Sequence, residues 1–283
     1  MKKRGLRVRR KPDLRNATLL IGLSGWMDSG NVSTGVMQYL VEKFDAKKLA
    51  EIAPEDFYVY SMPGSMETSA MVRPYTRIEN GRIVDYAPPE SHFFFDLERQ
   101  IILFEGREPN MRWSKYTECI FALCERFTVS RIFFIGSVSG VVPHTREPRF
   151  SYTASDRSLR SGLSKLGLSP TEYEGPGSFA SYLITQAQKR RISMANLVAE
   201  VPAYVQGYNP RAIITAVRLI ARLIHFHIRL DELLEAASEF DKKIGELSDQ
   251  QPELSDKIKE LEKDYDKEAF ERDIASISRG AHK

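Results

Sequence analysis

The residues best equipped for chemistry fall in four short stretches. Val142-Pro143-His144-Thr145-Arg146-Glu147-Pro148-Arg149 joins an imidazole to two guanidinium groups, a set suited to an anionic ligand or a developing oxyanion. Glu105-Gly106-Arg107-Glu108-Pro109-Asn110 adds two carboxylates and an arginine, one of which would make an acid–base pair if brought to His144. Gly25-Trp26-Met27-Asp28-Ser29-Gly30-Asn31 is a glycine-punctuated turn that brings backbone close to a ligand or partner. Gly175-Pro176-Gly177-Ser178 opens a helix, where free N–H groups would bind an anion or simply close a tight turn.

None of these is a standard catalytic motif. Gly22-Leu23-Ser24-Gly25 fails as a nucleophile elbow because Trp26 stands where the last glycine belongs. Neither a dinucleotide fingerprint nor a phosphate-loop motif occurs. Cys119 and Cys124 lie five apart in a helical pattern and face different ways, so neither a disulfide nor a metal pair is expected. His225 and His227, two apart on a helix, point about 200° apart and cannot share a metal. No metal and no cofactor are expected.

The elements that must carry these stretches alternate. Ala17 to Leu23 reads as a strand, and Val32, Val36, Met37, Leu40, Val41 and Phe44 as an amphipathic helix after it. The Asp28 turn is therefore placed at the carboxyl end of a strand, where open α/β sheets put their crevice. Phe57 to Ser61 reads as a strand, followed by a polar segment through Pro63-Gly64. Asn80-Gly81 signals a hairpin over 77–84, since both residues tolerate positive φ. Arg99 to Phe104 and Arg131 to Gly136 read as buried strands, with a helix carrying Tyr116, Ile120, Leu123 and Phe127 between them. A long loop is expected from Ser137 to about Thr153. Ser178 caps a helix carrying Phe179, Tyr182, Leu183 and Ala187. Ala195 to Val201 is a further strand, and Asn209-Pro210 opens a long helix that is apolar on several sides. Strand–helix alternation predicts a mixed sheet flanked by helices.

At 283 residues the chain buries roughly three-quarters of its unfolded surface without staples. The basic start runs into Pro12-Asp13-Leu14-Arg15 rather than an apolar core, so no secretory leader is expected, and no apolar run spans a bilayer. With two unpaired cysteines, a cytoplasmic protein is expected. Charge is divided. Residues 231–283 hold 16 acidic and 9 basic side chains, and the remainder 22 acidic and 32 basic. Eight of the basic residues fall in the first fifteen positions, so 1–16 is expected to be a basic, flexible arm. Without interleaved aromatics or a recognised module, nucleic acid is not the expected partner. The tail differs again: Leu230, Leu233, Ala237, Phe240, Ile244, Leu247, Leu254, Ile258, Leu261 and Tyr265 hold a heptad spacing. Pro252 cuts across it at a cost of about 3 kcal/mol within a helix. Two helices with a break near 249–252 are predicted, of coiled-coil type and packed in cis or between subunits.

Six segments in this order resemble the proteasome assembly chaperone 2 family, in its bacterial and archaeal branch. They are Gly25 to Asn31; Arg73-Pro74 ahead of Asn80-Gly81; Glu105 to Asn110 with Trp113; Val142 to Arg146; Tyr173-Glu174-Gly175-Pro176-Gly177; and Val201-Pro202-Ala203-Tyr204-Val205. The resemblance covers 17–230 and omits the arm and tail. It implies an α/β fold, a three-layer-like mixed sheet flanked by helices and similar to the purine nucleoside phosphorylase fold, here with a C-terminal helical extension over 231–283. It also implies homo-oligomers, trimers among them, and no agreed catalytic residues. Eukaryotic relatives help assemble the proteasome α-ring. Two departures are visible: Ala203 where relatives often carry histidine, and Glu147 between Arg146 and Pro148.

The function expected is therefore a non-enzymatic, oligomeric binding or assembly protein that binds itself and another protein. Its candidate binding residues are Trp26, Asp28, Asn31, Glu105, Arg107, His144, Arg146, Gly175 and Gly177. The alternative is a phosphorylase- or hydrolase-like enzyme acting on a small anionic or nucleoside-like substrate between Asp28–Asn31, Glu105–Arg107 and His144–Arg146.

Overall fold

The computed structural model describes residues 5–61 and 73–280, with backbone alone for 272–280. Lys2, Lys3 and Arg4 of the basic arm and the polar segment at Pro63-Gly64 lie outside the described residues. Strands are β1 (Leu6–Val8), β2 (Ala17–Ser24), β3 (Lys47–Ile52), β4 (Tyr75–Glu79), β5 (Arg82–Ala87) and β6 (Ser91–Asp96). They continue as β7 (Ile101–Arg107), β8 (Val129–Gly140), β9 (Phe150–Ala154), β10 (Ser169–Pro170) and β11 (Ser193–Pro202). Helices are α1 (Val32–Lys43), α2 (Trp113–Arg126), α3 (Arg157–Lys165), α4 (Phe179–Arg190), α5 (Pro210–Ile224), α6 (Asp231–Gln250) and α7 (Pro252–Gly280).

Nine strands form one mixed sheet in the order β1-β3-β6-β7-β2-β8-β11-β9-β10. The central strand β2 lies parallel to both β7 and β8, whereas β1, β3, β6 and β7 pair antiparallel in turn. Seven of the eight residues of β2 are buried, the continuous apolar run of a strand covered on both faces. Leu19, Ile21 and Leu23 share a core with Phe104, Tyr116, Ile120, Phe179 and Leu183, so α2 and α4 cover one face. Gly22 lies against Ser33 and Met37, so α1 covers the other.

The described chain divides into two units. The first spans Met1–Asp28, Ser33–Gly136 and Ser151–Val198; the second spans Ser29–Val32, Ser137–Phe150 and Ala199–Lys283. In the second, Asn209 caps α5 by accepting from the Ala212 N–H at 3.1 Å, with Pro210 in the first turn. Helix α6 follows, burying Leu233, Ala237 and Ile244. It ends at Gln250, and Pro252 opens α7 after the single residue Gln251.

Four local expectations are corrected. The arm is not open along 6–8: Leu6 and Val8 alternate with Arg7 and Arg9, and β1 adds to the edge of β3. Glu51 offsets the charge there, taking a two-armed contact from Arg9 at 2.9–3.1 Å. Phe57 to Ser61 is no strand. A 3₁₀ turn at Pro54–Asp56 precedes it, and the Phe57 carbonyl accepts from the Asn110 and Met111 N–H groups rather than from a ladder. The loop after β8 is shorter than expected, because β8 runs on to Gly140 and β9 begins at Phe150. Helix α5 ends at Ile224, where His225 turns left-handed at φ 62, so His225 and His227 are not on a helix.

The hairpin forms as Asn80-Gly81 implies, with φ 49 and 76 at the two turn residues. It stands as its own two-stranded sheet with every residue of β4 and β5 exposed.

Candidate functional site

In the first unit the β2–β8 ladder stops at Gly22 and Ile135, while β2–β7 continues to Ser24 and Arg107. Buried Ser33, in the first turn of α1, bridges the parting strands. Its hydroxyl donates to the Ile135 carbonyl at 2.5 Å and accepts from the Leu23 N–H at 3.0 Å.

Beyond the fork the chain turns at Gly25, with φ +136 and the Glu108 side chain pressed against its α-carbon. A Cβ there would lie 2.9 Å from Glu108 Cβ, so the turn is left to glycine. Glu108 holds two separate pieces of backbone. Oε2 accepts from the Trp26 N–H at 3.0 Å, and Oε1 accepts from the Phe179 N–H at 3.0 Å. A carboxylate at the start of α4 also meets the positive end of the helix dipole. Ser178 completes the cap by accepting from the Ser181 N–H at 3.1 Å. Trp26 itself is 66% exposed, on backbone fixed from below. Tyr173, also 66% exposed, donates from its hydroxyl to the Pro176 carbonyl and folds over the Gly175–Gly177 turn. A single carboxylate thus braces the Trp26 loop and the helix that begins just after the Tyr173 turn.

Asp28 faces α1. Its Oδ1 accepts from the Thr34 N–H at 3.1 Å and its Oδ2 from the Thr34 hydroxyl at 2.8 Å, the work of a helix cap. Burial holds its carboxyl above the ordinary range, against these two bonds. Glu105 is half-buried in β7, in register with Gly22 and His92, and burial followed by the charge of Glu90 raises it as well. Arg107 ends β7 and its carbonyl accepts from the Tyr58 hydroxyl at 2.8 Å.

In the second unit, Asn31 is exposed at the end of the short turn Ser29–Asn31 with φ 50. His144 is buried against Tyr204. The Tyr204 hydroxyl accepts from the His144 backbone N–H and meets Nδ1, both at 2.8 Å. The hydroxyl can donate to Nδ1 of a neutral imidazole while it accepts from the backbone N–H. Burial, the largest influence, holds His144 below the ordinary histidine value.

Arg146 turns to α7. Its Nε and Nη2 donate to the Asp266 carboxylate at 2.9 and 2.8 Å, and Nη1 donates to Glu262 at 3.3 Å. Hydrogen bonding to Asp266 raises Arg146 and lowers Asp266. The guanidinium is spent on carboxylates of its own chain.

A pH effect follows from His144. Between the unfolded value of about 6.5 and the lower folded value, the unfolded chain binds a proton that the folded chain refuses. The stability tied to neutral His144 is complete above the unfolded value and is lost as pH falls through the folded one. The melting temperature should therefore drop from pH 7.5 to pH 5.5 by more in the natural chain than in His144→Asn. Parallel curves for the two chains in scanning fluorimetry would remove His144 from the titration.

Sequence reasoning passed over Glu108, Ser33 and Tyr204. Glu108 and Tyr204 lay inside segments already singled out, but their partners are 60 to 82 residues away. Among the described residues, no group of three or more His, Cys, Asp or Glu is placed to hold a metal ion, and no helix is long and apolar enough to cross a membrane.

The PAC2 family model matches residues 22–248. No curated protein matches. Among solved structures, the Mycobacterium tuberculosis protein of unknown function Rv2714 is similar at 22% identity and TM-score 0.84, over 98% of this chain and 93% of that one. The proteasome-assembly chaperone homologue Rv2125 of Mycobacterium tuberculosis is similar at 24% identity and TM-score 0.74, over 85% of this chain and 99% of that one. Pyrococcus furiosus PbaB, an archaeal proteasome activator, is similar at 18% identity and TM-score 0.65, over 88% of this chain and 100% of that one. At these identities the likeness is one of fold: a large mixed sheet flanked by helices.

Proposed function

This chain belongs to the PAC2 family, and on that premise we propose that it is a non-enzymatic, chaperone-like binding protein that recognises another protein and associates with itself. The observation that carries this is the mounting of Trp26. A large aromatic ring stands in solvent at the carboxyl end of the central strand, on a backbone braced by Glu108. Tryptophan on a rigid mount is the usual anchor of a protein interface, where one such residue contributes about 2 kcal/mol or more. Tyr173 supplies a second exposed ring on the turn that leads into α4.

The polar candidates support the same reading. Asp28 caps a helix, Arg146 is held by two carboxylates, and the Phe179 N–H at the start of α4 is filled by Glu108. Arg146 and the Phe179 N–H are the groups that an anionic substrate would need, and both are taken within the chain. The relatives named as a proteasome-assembly chaperone homologue and a proteasome activator make proteasome subunits the first partners to test.

Tagged natural chain and Trp26→Ala are captured with proteasome subunits and with lysate of the source organism. The expected result is a partner retained by the natural chain and weakened about 30-fold, or about 2 kcal/mol, in Trp26→Ala. The melting temperature should be unchanged, because the ring is exposed. Equal retention by both chains would take the role from Trp26. Turnover of nucleosides or phosphate esters by the purified chain would overturn the non-enzymatic reading.

A further inference from the structure

Within the second unit, the loop after β8 grips α7 as a receptor grips a ligand. Arg146 forks onto Asp266 and reaches Glu262, which also accepts from the Thr145 hydroxyl. The Arg149 guanidinium lies 3.8 Å from the centre of the Tyr265 ring, donates to the Tyr265 carbonyl at 3.1 Å and pairs with Glu268. The Tyr265 hydroxyl in turn donates to the Glu147 carbonyl at 2.7 Å. Glu262, Tyr265 and Asp266 stand three and four apart, on one face of a helix. What the loop reads is therefore a pattern: two carboxylates one turn apart with an aromatic ring beside them.

The two tail helices are held differently. Helix α6 buries Leu233, Ala237 and Ile244 and is clamped by Arg211 on Asp241. Helix α7 buries only Ile258 and Leu261 among its described side chains, and its ties to Arg146 of the loop are partly exposed charge pairs through Glu262 and Asp266. Such pairs are weak and fade with salt. The grip is also imperfect, since Arg149 Nε is buried with no acceptor. One residue, Gln251 at φ −128 and ψ 90, separates the helices.

From this we infer that α7 exchanges between copies of the chain, the acidic helix of one copy lying on the Thr145–Arg149 loop of another, with Gln251 as the hinge. The inference rests on the self-association proposed above and names the surface that carries it. A second copy fits because it presents the same pattern and remakes every contact, and because reciprocal exchange closes on itself. Charge favours it too: an acidic tail meets a chain whose remainder is strongly basic.

The test uses full-length chains. Arg146→Cys and Asp266→Cys are made singly and together, and a short bismaleimide is added. Natural Cys119 and Cys124 do not compete, since both are buried and burial pushes the Cys124 thiol up to about 12. Mixing the two single variants should give a cross-linked pair of chains that neither gives alone. The pair should increase with chain concentration. The double variant should give cross-linked pairs as well as an internally linked single chain. Internal links alone in the double variant, with no pair from the mixture, would overturn the exchange. Light scattering of the natural chain separates the two claims. A multiple of 32.3 kDa with internal links alone keeps self-association and removes the exchange, whereas a single-chain mass removes both.

Discussion

Gly22→Ala should lower the melting temperature by roughly 10 °C, the largest loss expected from adding one methyl group to this chain. The new Cβ would lie 2.3 Å from the Ser33 carbonyl oxygen and 2.5 Å from Met37 Cγ. Met37 can rotate, but the Ser33 backbone cannot. Its hydroxyl ties Leu23 to Ile135 where β2 and β8 part, so any retreat of α1 breaks two buried hydrogen bonds. Overpacking costs about 1–3 kcal/mol, and each buried group left unpaired costs about 1–3 kcal/mol more. Against a total stability of roughly 5–15 kcal/mol, that is a large share. A melting temperature within about 2 °C of the natural chain would mean that α1 slides freely on the sheet, contrary to the packing described.

Glu108→Ala should be nearly as costly and should also silence the binding surface. Two backbone N–H groups, at Trp26 and Phe179, lose a charged acceptor together. Hydrogen bonds to charged groups contribute about 1.5–3 kcal/mol each. With the Trp26 bond exposed to solvent, a loss of about 3 kcal/mol, the low end for two such bonds, is expected. Glu108→Gln should fall between, since an amide oxygen can serve one N–H while its NH₂ opposes the other. Amide exchange offers the direct check: Trp26 and Phe179 should both lose protection in Glu108→Ala. Protection kept at either would show that Glu108 does not brace that segment. Partner capture should fall at least as far as in Trp26→Ala, although the indole is intact.

How much of this was legible in the sequence depended on reach. β2, β7, β8 and β11 could be read because a buried strand is a short apolar run, and the Ser178 and Asn209 caps because a cap acts on its own next turn. The Asn80-Gly81 hairpin is equally local. β1 escaped because three residues amid basic neighbours carry little pattern, and its partner Glu51 is 42 residues away. Helix α3 escaped because only Leu163 of its nine residues is buried. The site was half visible. Its segments stood out, but the use of each polar group was decided by residues far along the chain: Glu108 by Trp26 and Phe179, and Arg146 by Asp266, 120 residues on. The tail's heptad spacing pointed to its apolar residues, yet its carboxylates at Glu262 and Asp266 answer the basic loop.

The placement of β2 at the centre of the sheet has a consequence for biosynthesis. Ala17 to Ser24 leaves the ribosome before both of its partners, which begin at Ile101 and Val129. At about 5–20 residues per second, this buried strand waits several seconds for either neighbour. During that interval it is a bare, aggregation-prone edge. A protein proposed to oversee the assembly of others therefore begins as a nascent chain in need of protection itself.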